Sequence, residues 1–239
     1  MPKGRVLVLA GTAEARAVLE RAQGLDVLAS LAGRTADPGL PVPARIGGFG
    51  GAAGFLEVLS GCSAVLDATH PFAARITART ARLCAEAAVP YLRLTRPSWG
   101  AETGWTRHTD MASAAEAMSP DARILLTTGP GGLDAFLGRG LTLWCRRVDP
   151  APAQPGVHWI TGLPGDLSAE TDLMRRLRIT DLVSKNSGGP HRAKLDAAEG
   201  LGIRVHMIDR PPTPPGEETH DIGTALAFLA AHADHSRSR

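Results

Sequence analysis

Unbroken apolar runs alternate with amphipathic, helix-length stretches along almost the whole chain. The spacing predicts strands over Arg5–Ala10, Asp26–Leu31, Ala64–Asp67 and Pro90–Leu94, a short one at Ala44–Ile46, and helices over Ala13–Gln23, Ala52–Leu59 and Phe72–Ala87. Val6 to Ala10 carries no polar residue, as expected of a parallel strand buried on both faces. In the helix from Phe72, Ile76, Ala78, Leu83 and Ala87 fall on one side, and Arg75, Arg79 and Arg82 on another. A second series predicts strands over Arg123–Thr127, Leu141–Val148, Asp181–Ser184 and Arg204–Ile208. Its helices are expected over Gly131–Leu137, Ser168–Leu177, Pro190–Leu201 and Ile222–Ala233. Such βαβ repetition builds doubly wound parallel sheets with right-handed crossovers. Thr95 to Thr109 breaks the rhythm with Arg96-Pro97-Ser98-Trp99-Gly100 and Gly104-Trp105, and reads as a hinge. The expectation is two α/β domains, residues 1–98 and 99–239, with a cleft between them suited to a small molecule. Pro150 to Gly156 and Pro211 to Gly216 read as connecting loops, or as borders of that cleft.

Composition narrows the partners. The 239 residues give ample core, and 44% hydrophobic with 21% charged residues is ordinary for a soluble domain. A net charge of +2 argues against nucleic acid. No apolar stretch reaches membrane-spanning length and no basic-flanked signal segment opens the chain, so a cytoplasmic protein with no membrane partner is expected. Cys62, Cys84 and Cys145 lie far apart, without zinc or disulfide spacing, and no metal is expected. The tail from His232 to Arg239 reads as frayed, with His232 and His235 as solvated surface. Oligomeric state is open, and a monomer fits.

In open α/β sheets, ligands gather beyond the carboxyl ends of the strands. The first strand ends on Gly11-Thr12-Ala13-Glu14, where Gly11 permits a sharp turn, Thr12 can cap the next helix, and free N–H groups favour an anion. The second ends on Ser30-Leu31-Ala32-Gly33-Arg34-Thr35. No acid stands there for ribose hydroxyls; Arg34 suits a 2′-phosphate, which favours NADPH over NADH. These features make both domains Rossmann-like in expectation, with 1–98 binding NADPH. Gly47-Gly48-Phe49-Gly50-Gly51 reads either as a close backbone approach to a ligand or as a loop. Asp67 and His70 share one short segment, as a carboxylate tuning an imidazole or as a helix cap beside a locally bonded histidine; Thr69 lies between them. In the second half, Thr127-Thr128-Gly129 and Ser184-Lys185-Asn186-Ser187-Gly188-Gly189 occupy strand ends. Lys185 reads as a cation for a substrate carboxylate or a proton donor. No P-loop, zinc-protease or Gly-x-Ser-x-Gly signature occurs.

Taken in order, these segments resemble the precorrin-6A reductases of cobalamin biosynthesis over nearly the whole chain. The resemblance rests on Gly11-Thr12-x-Glu14-x-Arg16, Ala32-Gly33-Arg34, Asp67-Ala68-Thr69-His70-Pro71-Phe72-Ala73, and Leu92-Arg93 with Arg96-Pro97 and Trp99. It continues through Thr127-Thr128-Gly129, Ser184-Lys185-Asn186-Ser187-Gly188-Gly189, Lys194 and Arg210-Pro211. Ala10 and Ala15 stand where relatives often carry glycine, Thr77 where serine is usual and Ser184 where threonine is usual. The resemblance implies an NADPH-dependent oxidoreductase that passes hydride to a ring double bond of precorrin-6A, giving precorrin-6B. A cobalt-bound substrate is the alternative within it. It implies a carboxylate-rich tetrapyrrole substrate, with Arg16, Arg93, Arg96, Thr128, Lys185, Asn186, Ser187 and Lys194 as candidate anchors. Asp67, His70 and Lys185 are candidate catalytic groups. Gly11, Thr12, Ala13, Glu14, Ser30, Gly33, Arg34, Gly48, Thr69 and His70 are candidates for the cofactor. Two other classes compete. An S-adenosylmethionine-dependent transferase would want an acid at the second strand end, and a nucleotide-sensing module would not need Lys185 and Lys194.

Overall fold

The computed structural model describes residues 3–32, 39–100, 104–129 and 131–235. The chain divides into two compact units: residues up to Pro97 together with those from Pro212, and Ser98–Pro211.

The first unit opens with β1 (Arg5–Ala10), α1 (Ala13–Arg21), β2 (Val27–Leu31) and β3 (Ala44–Ile46). It continues with α2 (Ala52–Leu59), β4 (Cys62–Ala68), α3 (Ala74–Glu86) and β5 (Tyr91–Leu94). The chain rejoins it with β12 (Glu217–Thr219) and α7 (Ile222–His232). The six strands run in the order β12-β5-β4-β1-β2-β3, every pair parallel. The apolar run of β1 is explained by its two faces. Val6 and Val8 pack with Val18 and Leu19 of α1 and with Ala225 and Leu229 of α7. Leu7 and Leu9 pack with Phe55 and Leu59 of α2 and with Leu83 of α3. Truncating Leu7 to alanine, in a core this closed, costs about 2–5 kcal/mol.

The second unit contains β6 (Trp105–His108), α4 (Met111–Glu116), β7 (Arg123–Leu126), β8 (Thr142–Arg147) and β9 (Val157–Thr161). α5 (Leu167–Leu177), β10 (Asp181–Lys185), α6 (Ala193–Gly200) and β11 (Arg204–Ile208) complete it. Its sheet order is β6-β11-β10-β7-β8-β9, again parallel throughout. Leu125, Leu182, Val205 and Met207 form the core on one face with Met174 of α5 and Leu195 of α6.

The expected α/β class with two mainly parallel sheets is what the chain folds into. The expected boundary needs correction at the C-terminus. β12 adds to β5 in register Glu217↔Leu92 to Thr219↔Leu94, and α7 buries Ala225 and Leu229 against the first sheet. Residues from 212 onward therefore belong with the first unit, not with 99–239. The stretch read as a hinge contains β6, which pairs with β11. The helix expected over Gly131–Leu137 is a 3-10 turn at Leu133–Phe136, since Gly132 at φ +90° blocks an α start. The tail is not frayed as far as His235: Gly4 N–H donates to the His232 carbonyl, and Asp26 N–H to that of Asp234. Among the described residues no helix is long and apolar enough to cross a membrane.

Candidate functional site

In the first unit the carboxyl ends of β1, β2, β3 and β4 surround one cavity of about 440 Å³. Gly11, Ser30, Gly48, Phe49, His70 and Arg79 are among its walls. Thr12 caps α1: its Oγ1 accepts from Ala15 N–H and donates to the Ala68 carbonyl, tying the β1 turn to β4. The first-turn N–H groups of Ala13 and Glu14 have no intrahelical acceptor, as at any helix start. The short turn leaves them at the same strand end as the cavity wall at Gly11. Gly11 itself is not in the left-handed region. Its value is space: an added Cβ would stand 3.8 Å from His70 N and from Thr69 Cα, partly filling the gap beside the β4 end. The β3 loop does need its glycines, with φ of +103° at Gly47, +69° at Gly50 and +113° at Gly51.

The structure thus brings Gly11, Ser30, Gly48, Thr69 and His70 to one cavity, with Thr12, Ala13 and Glu14 on the adjoining first turn. Gly33 and Arg34 lie outside the described residues. Asp67 and His70 do not pair. Asp67 is fully buried on β4; its Oδ1 accepts from Thr69 N–H (3.1 Å) and Thr69 Oγ1 (2.7 Å), and its Oδ2 from Tyr91 Oη (3.0 Å). Burial first, and then the Asp67 charge, push the Tyr91 phenol pKa up, so it stays a donor. His70 Nδ1 accepts from Phe72 N–H at 3.2 Å, which fixes the proton on Nε2.

The expected substrate cations of this unit are spread. Arg93 is buried on β5 and pairs with Glu218 of β12 at 3.2 Å. Arg96 Nε lies 3.8 Å from Glu14. Arg16 is exposed on α1 and donates to the Gly39 carbonyl. Two cations escaped the sequence reading. Arg45, on β3 opposite Ser30, donates to Ser30 Oγ (2.9 Å) and to the carbonyls of Gly47 and Gly48, with its guanidinium 4.0 Å above the Phe49 ring. Arg79 of α3 lines the cavity. It belongs to the predicted arginine side of that helix, but only the fold turns it toward the glycine loop after β3.

In the second unit the carboxyl ends of β7 and β10 meet. Lys185 Nζ donates to the Thr128 carbonyl at 3.0 Å, and burial lowers its pKa. Asn186 is a strut: Oδ1 accepts from Trp99 N–H (2.9 Å) and Nδ2 donates to the Trp99 carbonyl (3.2 Å). Trp99 Nε1 donates to Gly189, while Arg210 donates to the carbonyls of Asn186 and Ser187. The motif from Lys185 to Gly189 is therefore strapped on both sides by residues the sequence set apart. Lys194 lines a cavity of about 390 Å³ with Thr127, Gly129, Arg146, Arg147 and Gly162. Arg146 is neutralised by buried Glu170 at 2.9 Å. Burial, reinforced by Arg146, brings the Lys194 pKa down to about 8. Arg146 and Arg147 end β8, so extending the strand-end search to β8 would have found them. Among the described residues no group of three or more His, Cys, Asp or Glu could hold a metal ion.

Residues 5–230 match the family described as Precorrin-6x reductase CbiJ/CobK. A precorrin-6A reductase of Rhodococcus erythropolis is 45% identical over 241 residues, covering 94% of this chain and 97% of that protein. One from Mycobacterium tuberculosis is 44% identical over 238 residues, covering 95% and 97%. A solved structure described as CobK precorrin-6A reductase superposes with a TM-score of 0.86 at 36% identity, covering 96% of this chain and 97% of that one. With its two parallel six-stranded sheets and its strand-end sites, the chain belongs to the precorrin-6x reductase family, and as a reductase of that family uses a nicotinamide cofactor.

Proposed function

We propose that this chain carries out the reaction its relatives are named for, the reduction of precorrin-6A, with NADPH as the reductant and precorrin-6B as the dihydro product. The observation that carries the cofactor side is the cavity at the ends of β1 to β4, set beside the first turn of α1. Its residues fit a dinucleotide. Gly11 leaves a gap that a Cβ would narrow, the first-turn N–H groups of Ala13 and Glu14 would take a pyrophosphate, and Ser30 with Gly48 would flank a ribose. Arg34 is read as a cation for the 2′-phosphate. When bound, the reduced nicotinamide supplies a hydride.

The chain's own residues supply position and charge. Thr69 and His70 line the cavity at the β4 end and would border the nicotinamide, with Asp67 holding Thr69 in place. Lys185, Thr128, Lys194, Asn186 and Ser187 form the substrate side on the second unit. There Lys185 and Lys194 hold carboxylates, and Asn186 keeps the loop in shape. Arg16 and Arg96 add positive charge near the first turn of α1. Hydride addition needs one proton in balance; His70, through Nε2–H, and Lys185 are the candidates to deliver it to the substrate. Assaying His70→Ala and Lys185→Ala for NADPH oxidation with precorrin-6A tests this. A large fall in kcat in one of them names the donor; turnover near wild type in both removes the two as acids. Comparing equilibrium affinity for NADPH and NADH tests the cofactor, and equal affinities would exclude the NADPH reading.

A further inference from the structure

Two arginines from different elements converge on one phenyl ring beside the first-unit cavity. The guanidinium carbon of Arg45 lies 4.0 Å from the Phe49 ring centroid, and that of Arg79 lies 5.7 Å from it and 5.6 Å from Phe55. Among the described residues neither is ion-paired to a carboxylate, although arginines at other positions of both units are, as Arg93 with Glu218 and Arg146 with Glu170. Arg79 Nε is buried without a hydrogen-bond partner. Two half-buried cations on one apolar ring repel each other and have left bulk water. That arrangement is unfavourable unless an anion completes it. Stacking on Phe49 and Phe55 offsets part of the cost and holds both planar groups in place.

Location says which anion. Arg45 donates to Ser30 Oγ at the end of β2, where a dinucleotide's adenosine ribose rests in this class of sheet. Three of the Arg45 donors are taken by Ser30, Gly47 and Gly48, which fixes the guanidinium while leaving two N–H groups for a ligand. We infer that Arg45 and Arg79, clamped on Phe49, bind the adenosine 2′-phosphate and set the preference for the phosphorylated dinucleotide. This rests on the NADPH reading above and adds two residues to the one that sequence supplied.

The test is equilibrium binding, by calorimetry or nicotinamide fluorescence, of NADPH and NADH to the wild type, Arg45→Gln, Arg79→Gln, Arg79→Lys and Arg34→Ala. Loss of a charge-assisted phosphate contact is expected to weaken NADPH by about tenfold or more in each Gln variant and to leave NADH nearly unchanged. Arg79→Lys should recover part of the loss, and circular dichroism should match the wild type. A Gln variant that loses NADPH and NADH equally overturns the assignment, because its arginine then serves the adenine or the fold. Preference retained in both Gln variants but abolished in Arg34→Ala also overturns it. A wild type that binds both dinucleotides equally refutes the underlying cofactor reading instead, a result separate from either of those.

Discussion

The Tyr91 hydroxyl donates to Asp67 Oδ2 at 3.0 Å, and Thr69 donates to Oδ1 through both its N–H and its hydroxyl, so a fully buried carboxylate at the end of β4 accepts three hydrogen bonds. This relationship makes Asp67 a positioning residue that sets Thr69 and the loop after β4. Tyr91→Phe leaves that oxygen without its donor, and the expected cost is about 1–3 kcal/mol of stability by urea denaturation. Asp67→Asn keeps an acceptor for Thr69, and the Tyr91 hydroxyl can turn to accept from the new amide. It should fold and keep NADPH oxidation within a few-fold of wild type. A folded, inactive Asp67→Asn would instead make Asp67 an acid of the reaction.

Gly11 offers a sharper separation of fold from binding. Its backbone is not left-handed, and a Cβ there meets nothing closer than 3.8 Å. Gly11→Ala should change stability by less than about 0.5 kcal/mol. The same methyl group enters the gap between the β1 and β4 ends, and NADPH affinity should fall about tenfold or more. Gly54→Ala is the contrasting control. Its Cβ would come within 1.9 Å of the Phe49 carbonyl, so it should destabilise the first unit outright. Calorimetric titration and thermal melting of the two variants check both statements.

The sequence made the buried strands plain because a parallel strand covered on both faces is apolar through its buried length, as Val6–Ala10 of β1 and Ile124–Leu126 of β7 are. It hid β9, a half-exposed edge strand, and β12, whose Glu217-Glu218-Thr219 carries no apolar signal at all. β12 exists because β5 presents an open edge to it, and nothing local records that. The site divides in the same way. Gly11, Gly48, Thr69 and His70 follow strands and Ser30 is the penultimate residue of one, so a strand-end rule gathers them. Arg45 and Arg79 sit inside a strand and a helix, and only packing around Phe49 brings them together. Asp67 and His70 are near in sequence yet face different partners, because residues on opposite sides of a strand end diverge.

The second unit should show a pH-dependent stability that belongs to one buried chain of contacts. His108 Nε2 lies 3.0 Å from His206 Nδ1, and His206 Nε2 lies 3.0 Å from Asp181, which Arg204 holds with two hydrogen bonds. Burial first, and then the facing His206, lower the His108 pKa, against smaller opposite effects of Asp110 and Asp209. A histidine with a depressed folded pKa binds its proton more readily when unfolded. Its contribution is therefore present above the ordinary value of about 6.5 and is lost as pH falls through the folded pKa. The Asp181 carboxyl, held low by His206, Arg204 and Thr180 against desolvation, adds a second loss only in stronger acid, below about pH 4. Urea midpoints should decline from pH 7.5 to 5.5 in the wild type and stay flatter in His108→Gln. An equally steep decline in that variant would place the proton uptake elsewhere.

As the proposed carboxylate anchor, Lys194 should make substrate affinity fall at alkaline pH. Burial and the nearby Arg146 bring its pKa down to about 8, well below that of a solvated lysine, so its charge is lost within an accessible range. An anion held by the ammonium binds the protonated form. Affinity should be constant below about pH 8 and weaken as pH rises through that value, by at most about tenfold per pH unit. Arg147, whose Nε is buried without a partner beside the same cavity, stays charged throughout and sets a floor. The expected signature is a KM for precorrin-6A that climbs between pH 7.5 and 9.5 while kcat changes little. Lys194→Arg should abolish the climb because its guanidinium does not deprotonate, and Lys194→Met should start at the weakened KM and show no climb. A KM profile in Lys194→Met that still rises through pH 8 would assign the titration to another group and remove Lys194 from the substrate side.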